Sequence, residues 1–112
     1  MDAVSLAALA DEHITVARAT SSGRSATSIH GGQGKALGQT LLALAAGRGL
    51  HAHDNPGEAT VQGLTGQITI TAGDRRWDLG AGDHLVIPAA RHDLTAVADS
   101  AVLLSIVTGD RA

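Results

Sequence analysis

Leu50-His51-Ala52-His53-Asp54-Asn55-Pro56-Gly57-Glu58 is the stretch on which the fold turns. Two histidines stand two residues apart, and a Pro-Gly turn follows them. A β-strand projects residues i and i+2 from the same face. On a strand, His51 and His53 therefore point the same way, and a third imidazole from a neighbouring strand can join them. A later block supplies a candidate: in Gly82-Asp83-His84-Leu85-Val86-Ile87-Pro88-Ala89-Ala90-Arg91-His92, a Gly-Asp turn leads into an apolar strand, proline closes it, and His92 lies just beyond. An all-β chain can assemble a metal site in its interior in this way. Imidazole ligands suit Zn, Cu, Fe and Ni.

Outward from these two blocks, the chain keeps the same texture. From Arg24 onward, short apolar stretches alternate with Gly-rich turns about every eight to twelve residues, the pattern of an all-β sandwich or barrel. Strands are expected at 25–30, 39–45, 59–64, 67–72, 76–79, 84–87, 94–97 and 102–107. The clearest is Ile68-Thr69-Ile70-Thr71, a strict alternation with one face buried, and Ala72-Gly73-Asp74 after it reads as a hairpin turn. Residues 3–19 read instead as a helix, with Leu6, Leu9, Ala10, His13, Val16 and Ala17 on one face and Asp2 or Ser5 as N-cap. That face is expected to dock on a sheet or on a second subunit. It lacks the Lys/Arg-rich polar flank of a membrane-surface helix. The fold class is thus mainly β, one domain over 1–112, with a short N-terminal helix and a barrel over about 25–108.

Composition narrows the function. Apolar residues make up 44% of the chain, enough for a core, but Phe and Tyr are absent and Trp77 is the single aromatic. Small aliphatic side chains must fill the interior, which favours a barrel with an open pocket. Without aromatics there is no stacking platform for single-stranded nucleic acid. The net charge of −3, with no basic cluster, argues against nucleic acid and anionic membranes as partners. The absence of cysteine excludes disulfides, thiolate chemistry and Cys-based zinc sites. The start, Met1-Asp2-Ala3-Val4-Ser5, has neither the charged nor the apolar region of a secretory signal, so the expected location is cytoplasmic.

The two histidine blocks resemble the cupin family, specifically its small single-domain bacterial members. The first family motif runs Gly, His-x-His, Glu, Gly, and the second runs Gly, Pro-x-Gly, His. His51-x-His53-x4-Glu58 with Gly66 resembles the first, and Gly82-x5-Pro88 with His92 resembles the second. Trp77-Asp78-Leu79-Gly80-Ala81-Gly82-Asp83 also looks like the turn that precedes the second motif. The resemblance covers about 37–108. It implies a jelly-roll β-barrel with a central pocket, and often a divalent transition metal (Fe, Mn, Ni, Cu or Zn) held by two His, a Glu or Gln, and a further His. The implied ligands here are His51, His53 and His92, with Glu58 as a fourth.

The spacing departs from the family pattern at several places. Seven residues separate Glu58 from Gly66, one more than the pattern. Counted from Gly66, the third-ligand position falls on Ala59. Strand alternation then turns Ala59, Val61 and Gly63 inward and Glu58, Thr60 and Gln62 outward, unless a bulge precedes Glu58. His92 arrives one residue early after Pro88, where the pattern expects Asp93, and Ala90 replaces the turn glycine. The family's leading glycine is displaced too: Gly49 stands just before Leu50, where the pattern points to Ala45. A shorter turn restores His92 to the site.

The remaining polar residues have plainer readings. His13 is a half-buried packing residue of the helix, His84 faces away from whatever Leu85 and Ile87 bury, and Gln62 lies on the surface. His30 and Gln39 are candidate pocket residues. Arg48, Arg75 and Arg76 sit at turns and are solvated. Three functions remain open: a metal-dependent enzyme of the dioxygenase or isomerase type acting on a small molecule, a metal-free barrel that binds or senses one, and an assembly role. Under all three a homodimer is expected, because the N-terminal helix and the strand at 25–29 can pair across a two-fold axis and so protect an edge.

Overall fold

A computed structural model describes residues 3–53 and 57–107, with 51–53 described in their backbone alone. One helix, α1 (Leu6–Ala19), precedes nine strands: β1 (Arg24–His30), β2 (Leu37–Leu44), β3 (Gly49–His53), β4 (Ala59–Thr65), β5 (Gln67–Ala72), β6 (Arg75–Gly80), β7 (His84–Val86), β8 (His92–Ala96) and β9 (Ser100–Val107). They form two antiparallel sheets, one of five strands in the order β1-β2-β9-β4-β7, the other of four in the order β3-β8-β5-β6. The chain crosses repeatedly from one sheet to the other, as in a jelly roll. The sheets are packed face to face and, among the described residues, do not close into a continuous barrel.

Between them lies one aliphatic core. Leu42, Leu44, Ala59, Val61 and Val102 come from the five-stranded sheet, and Ile68, Ile70, Leu79, Leu94 and Ala96 from the four-stranded one. Trp77 is half-buried against this cluster and carries the Arg75 guanidinium over its ring, 4.7 Å from the centroid. Alternation sets the inward residues: on β5 and β8 each second residue is buried.

The outer face of the five-stranded sheet is covered in part by α1. Ser5 caps the helix, its Oγ accepting from Ala8 N at 3.1 Å. Ala10 and Ala17 pack on Ala43 of β2 and Ala101 of β9, with Ile14 and Leu64 beside them. Four alanines at one interface let helix and sheet backbones approach closely. The packed stripe therefore runs through Ala10, Ile14 and Ala17, and Val16, expected on that face, is 44% exposed. The other residue at the seam, His13, is half-buried, and its Nδ1 lies 2.6 Å from Ser25 Oγ of β1.

Gly66 alone separates β4 from β5, where the chain leaves one sheet for the other. Its φ is +87°, and a Cβ there would collide with Ser100 Oγ and the Asp99 carbonyl. Ser100, 1% exposed, uses the space: its Oγ accepts from Gln67 N at 2.9 Å and donates to the Ala98 carbonyl at 2.6 Å. Only glycine fits both the left-handed backbone and the close approach.

Candidate functional site

His92 is the first residue of β8, and the strand's alternation sends His92, Leu94 and Ala96 inward. Leu94 and Ala96 belong to the core, and His92 itself is 6% exposed. The short turn after Pro88 has a direct hydrogen-bond consequence: His92 Nδ1 donates to the carbonyl of Ala90, two residues back, at 2.8 Å. A carbonyl can only accept, so Nδ1 carries a proton, and Nε2 is the nitrogen that a neutral ring would offer to a metal. Metal-binding imidazoles are commonly oriented by such a second-nitrogen bond to a backbone carbonyl. Asp93, the position the family spacing points to, faces the other way, and its carboxylate accepts from the Thr71 hydroxyl.

β3 runs beside β8. Leu50 lies opposite Leu94 and residue 53 lies opposite His92, with a register shift between them. The ladder thus places the backbone of His53 directly across from His92. The side chains of His51 and His53 lie outside the described residues. Among the described residues no three His, Asp or Glu side chains converge as a metal-binding group.

Glu58 is exposed, just ahead of β4, while Ala59 and Val61 are buried in the core. The register shift of β4 falls between Gly63 and Thr65. Glu58 lines a groove of about 270 Å³ across the ends of β2, β4 and β9, together with Leu37, Ala59, Thr60, Ser105, Ile106 and Val107. This groove and His92 share one end of the molecule: Ile87 N donates to the Ala59 carbonyl at 2.9 Å, and the chain runs on from there to His92.

Gln39 and His30 do not join His92 in the interior. Leu42 and Leu44 of β2 point into the core, so Gln39 shares the outer face with Ala43. Its Nε2 donates to Ser105 Oγ on β9 at 3.1 Å. His30 stands opposite Gln39, beyond a bulge in β1, and is half-buried. Gln62 is half-buried, and exposed His84 stands opposite it on β7. The interior position expected of Gln39 is held by its neighbour Thr40. Strand parity, fixed by Leu42 and Leu44, was the signal in the sequence that separates the two.

A two-sheet jelly roll with this strand order and a buried imidazole at the start of β8 defines a small cupin-type domain. Solved structures of the same shape agree. A conserved protein of unknown function from Streptococcus pyogenes is 28% identical, with 82% of this chain and 80% of that one covered at a TM-score of 0.71. An RmlC-like cupin protein from Desulfovibrio desulfuricans is 25% identical over 75% of this chain and 81% of its own, at a TM-score of 0.65. The DMSP lyase DddQ of Ruegeria pomeroyi is 22% identical over 78% of this chain but 47% of its own, at a TM-score of 0.64. No protein-family model matches the chain, and no curated protein matches it significantly.

Proposed function

We propose that this cupin-type domain acts on a small molecule at a divalent transition metal held by His51, His53 and His92. The observation that carries the reading is His92: a buried, inward imidazole whose Nδ1 is fixed on a carbonyl and whose register partner is residue 53. Three neutral imidazoles are a donor set that Fe, Mn, Ni, Cu and Zn accept, and they leave positions for water or substrate. A metal bound there supplies Lewis acidity and lowers the pKa of a bound water. The chain's own contribution is orientation by the Ala90 carbonyl and exclusion of water by Leu94 and Ala96. A dioxygenase or isomerase is the enzyme type this donor set suits. Exposed Glu58 is left out of the ligand set.

The test is elemental mass spectrometry on untagged protein, for wild type and for the His51→Ala/His53→Ala and His92→Ala variants. Near-stoichiometric metal in wild type, lost in both variants, is the expected result. Wild type that is purified without metal and takes up none of Fe, Mn, Ni, Cu or Zn overturns it. In that event the second reading applies, a metal-free barrel that binds a small molecule. Ala59 favours it, because an aliphatic side chain stands where a third ligand is expected.

We infer in addition that the chain forms a homodimer in a cytoplasmic setting. β1 ends the five-stranded sheet, and Ala26 and Ser28 along it are exposed, which leaves an edge for a second copy to cover. Light scattering at high concentration is expected to give twice the monomer mass, and a monomer rejects the pairing.

A further inference from the structure

At the end of the five-stranded sheet away from the groove, β1 begins, β2 ends, and a turn leads to β3. Seven residue steps separate Leu37 from Leu44, so about 24 Å of strand divides this end from the groove. Ser22, Arg24, Gly47, Arg48 and Gly49 line a concave cavity there of about 370 Å³. That is within the range of small-molecule sites, which begins at about 300 Å³.

Two arginines share this cavity. The chain has 11 acidic residues against 8 Lys and Arg, so carboxylates are in surplus. Yet among the described residues the ion pairs are Arg18 with Asp99 and Arg76 with Asp78, and neither Arg24 nor Arg48 has a carboxylate within ion-pair distance. The acidic residue that reaches this end, Asp99, is already engaged: Oδ1 accepts from Ala46 N at 2.9 Å, and Oδ2 pairs with Arg18 at 3.4 Å. Two like charges facing one concavity repel each other, and an anion between them relieves the repulsion.

The stem of one of the two arginines also packs on the backbone. Gly23, buried and at φ +69°, lies directly beneath the Arg48 side chain, so that a Cβ at 23 would strike Arg48 Cγ. The stem of Arg48 therefore rests on bare backbone, which restricts its rotamers before any ligand arrives. The backbone amides beside it are committed to the fold, Gly47 N to the Ala96 carbonyl and Arg48 N to the Ala45 carbonyl, both within 3.0 Å. Recognition therefore falls on the two forked guanidiniums, with the Ser22 hydroxyl, which accepts from Arg24 N at 3.3 Å and donates to the Arg24 carbonyl at a long 3.5 Å, lining the wall beside them. Guanidinium forks match the oxygens of phosphate and carboxylate groups in paired, charge-assisted bonds.

We propose that Arg24 and Arg48, with Ser22, form a binding site for an oxyanion group, phosphate or carboxylate, carried by a small molecule and separate from the histidine site. The cavity is larger than a single phosphate, so the ligand is an organic anion with its charged group between the arginines.

Isothermal titration calorimetry at constant ionic strength tests this, with inorganic pyrophosphate and with citrate as probes. Wild type is expected to bind at least one probe saturably, and the stronger probe assigns phosphate or carboxylate as the group recognised. Arg24→Gln and Arg48→Gln are each expected to weaken binding by about ten- to a hundredfold, the loss of a charge-assisted bond pair. Arg48→Lys keeps the charge without the fork and is expected to fall between. Arg75→Gln, at the far hairpin, is the control for net charge. Both probes chelate metals, so the His51→Ala/His53→Ala variant is titrated too and is expected to bind as wild type does. No saturable binding of either probe overturns the site. So does an equal loss in Arg75→Gln, or loss of binding in the histidine variant. Arginine variants that melt with wild type confirm that only the cavity has changed.

Discussion

Ser100 shows how much one hydroxyl can carry in this chain. It is buried, and it satisfies Gln67 N at the point where the chain crosses between sheets. Ser100→Ala leaves that amide without its partner and is expected to destabilise the protein by about 1–3 kcal/mol in urea unfolding. Gly66→Ala forces a side chain into the same space at a positive φ, with an expected cost of at least about 1–3 kcal/mol. Because both act at one crossing, the double variant is expected to fall short of the sum. Asp78 gives a pH signature. Its carboxyl is held below the usual carboxylate range, first by the Thr69 hydroxyl and then by Arg76. A depressed folded value means that its stabilisation is complete above the ordinary carboxylate range and is lost as pH falls below it. NMR titration of the Asp78 carboxyl is expected to show an upward move of its midpoint in Thr69→Val and in Arg76→Gln.

Elements differ in how readable they were. The helix, the Gln67–Ala72 strand and the hairpin after it are legible because each buries one face at a regular period, and periodicity is local information. The helix's packed face was read correctly at Leu6, Leu9, Ala10, His13 and Ala17, with Val16 included wrongly and Ile14 missed. Val16 continues the 3–4 spacing from Leu9 and His13, but Ile14 lies on the line between Ala10 and Ala17 along which the small residues of the sheet admit the helix. Ile14→Ala is accordingly expected to cost about 1–2 kcal/mol and Val16→Ala less than about 0.5, as separable by thermal melts. Ala17→Leu, at a position with no exposure, is expected to cost about 1–3 kcal/mol by pushing the helix off the sheet. Around His92 the fold class came through the spacing of glycine, proline and histidine. The choice of His92 over Asp93 was named there but not decided by spacing, because it depends on the conformation of the Pro88–Arg91 segment and on strand parity that only the sheet partners fix. Gln39 was ambiguous for the same reason. The cavity between Arg24 and Arg48 was not legible at all, since an arginine at the start of a strand and another at a distant turn carry no pairing signal in the chain.

At the scale of the molecule, the jelly roll separates its chemistry to its two ends. The imidazole and the apolar groove lie at one end and the arginine cavity at the other, with an aliphatic core between. No helix among the described residues is long and apolar enough to cross a membrane. The core without Phe or Tyr has a practical corollary. Trp77, half-buried against that core and capped by Arg75, is the sole strong chromophore of the chain, so its emission reports on β6 and the four-stranded sheet. The far-ultraviolet signal at 222 nm, in contrast, is weighted towards α1 on the opposite sheet. An optical experiment on unmodified protein can therefore watch the two layers separately, and coincident midpoints from the two signals would mean that sheet and helix come apart as one cooperative unit.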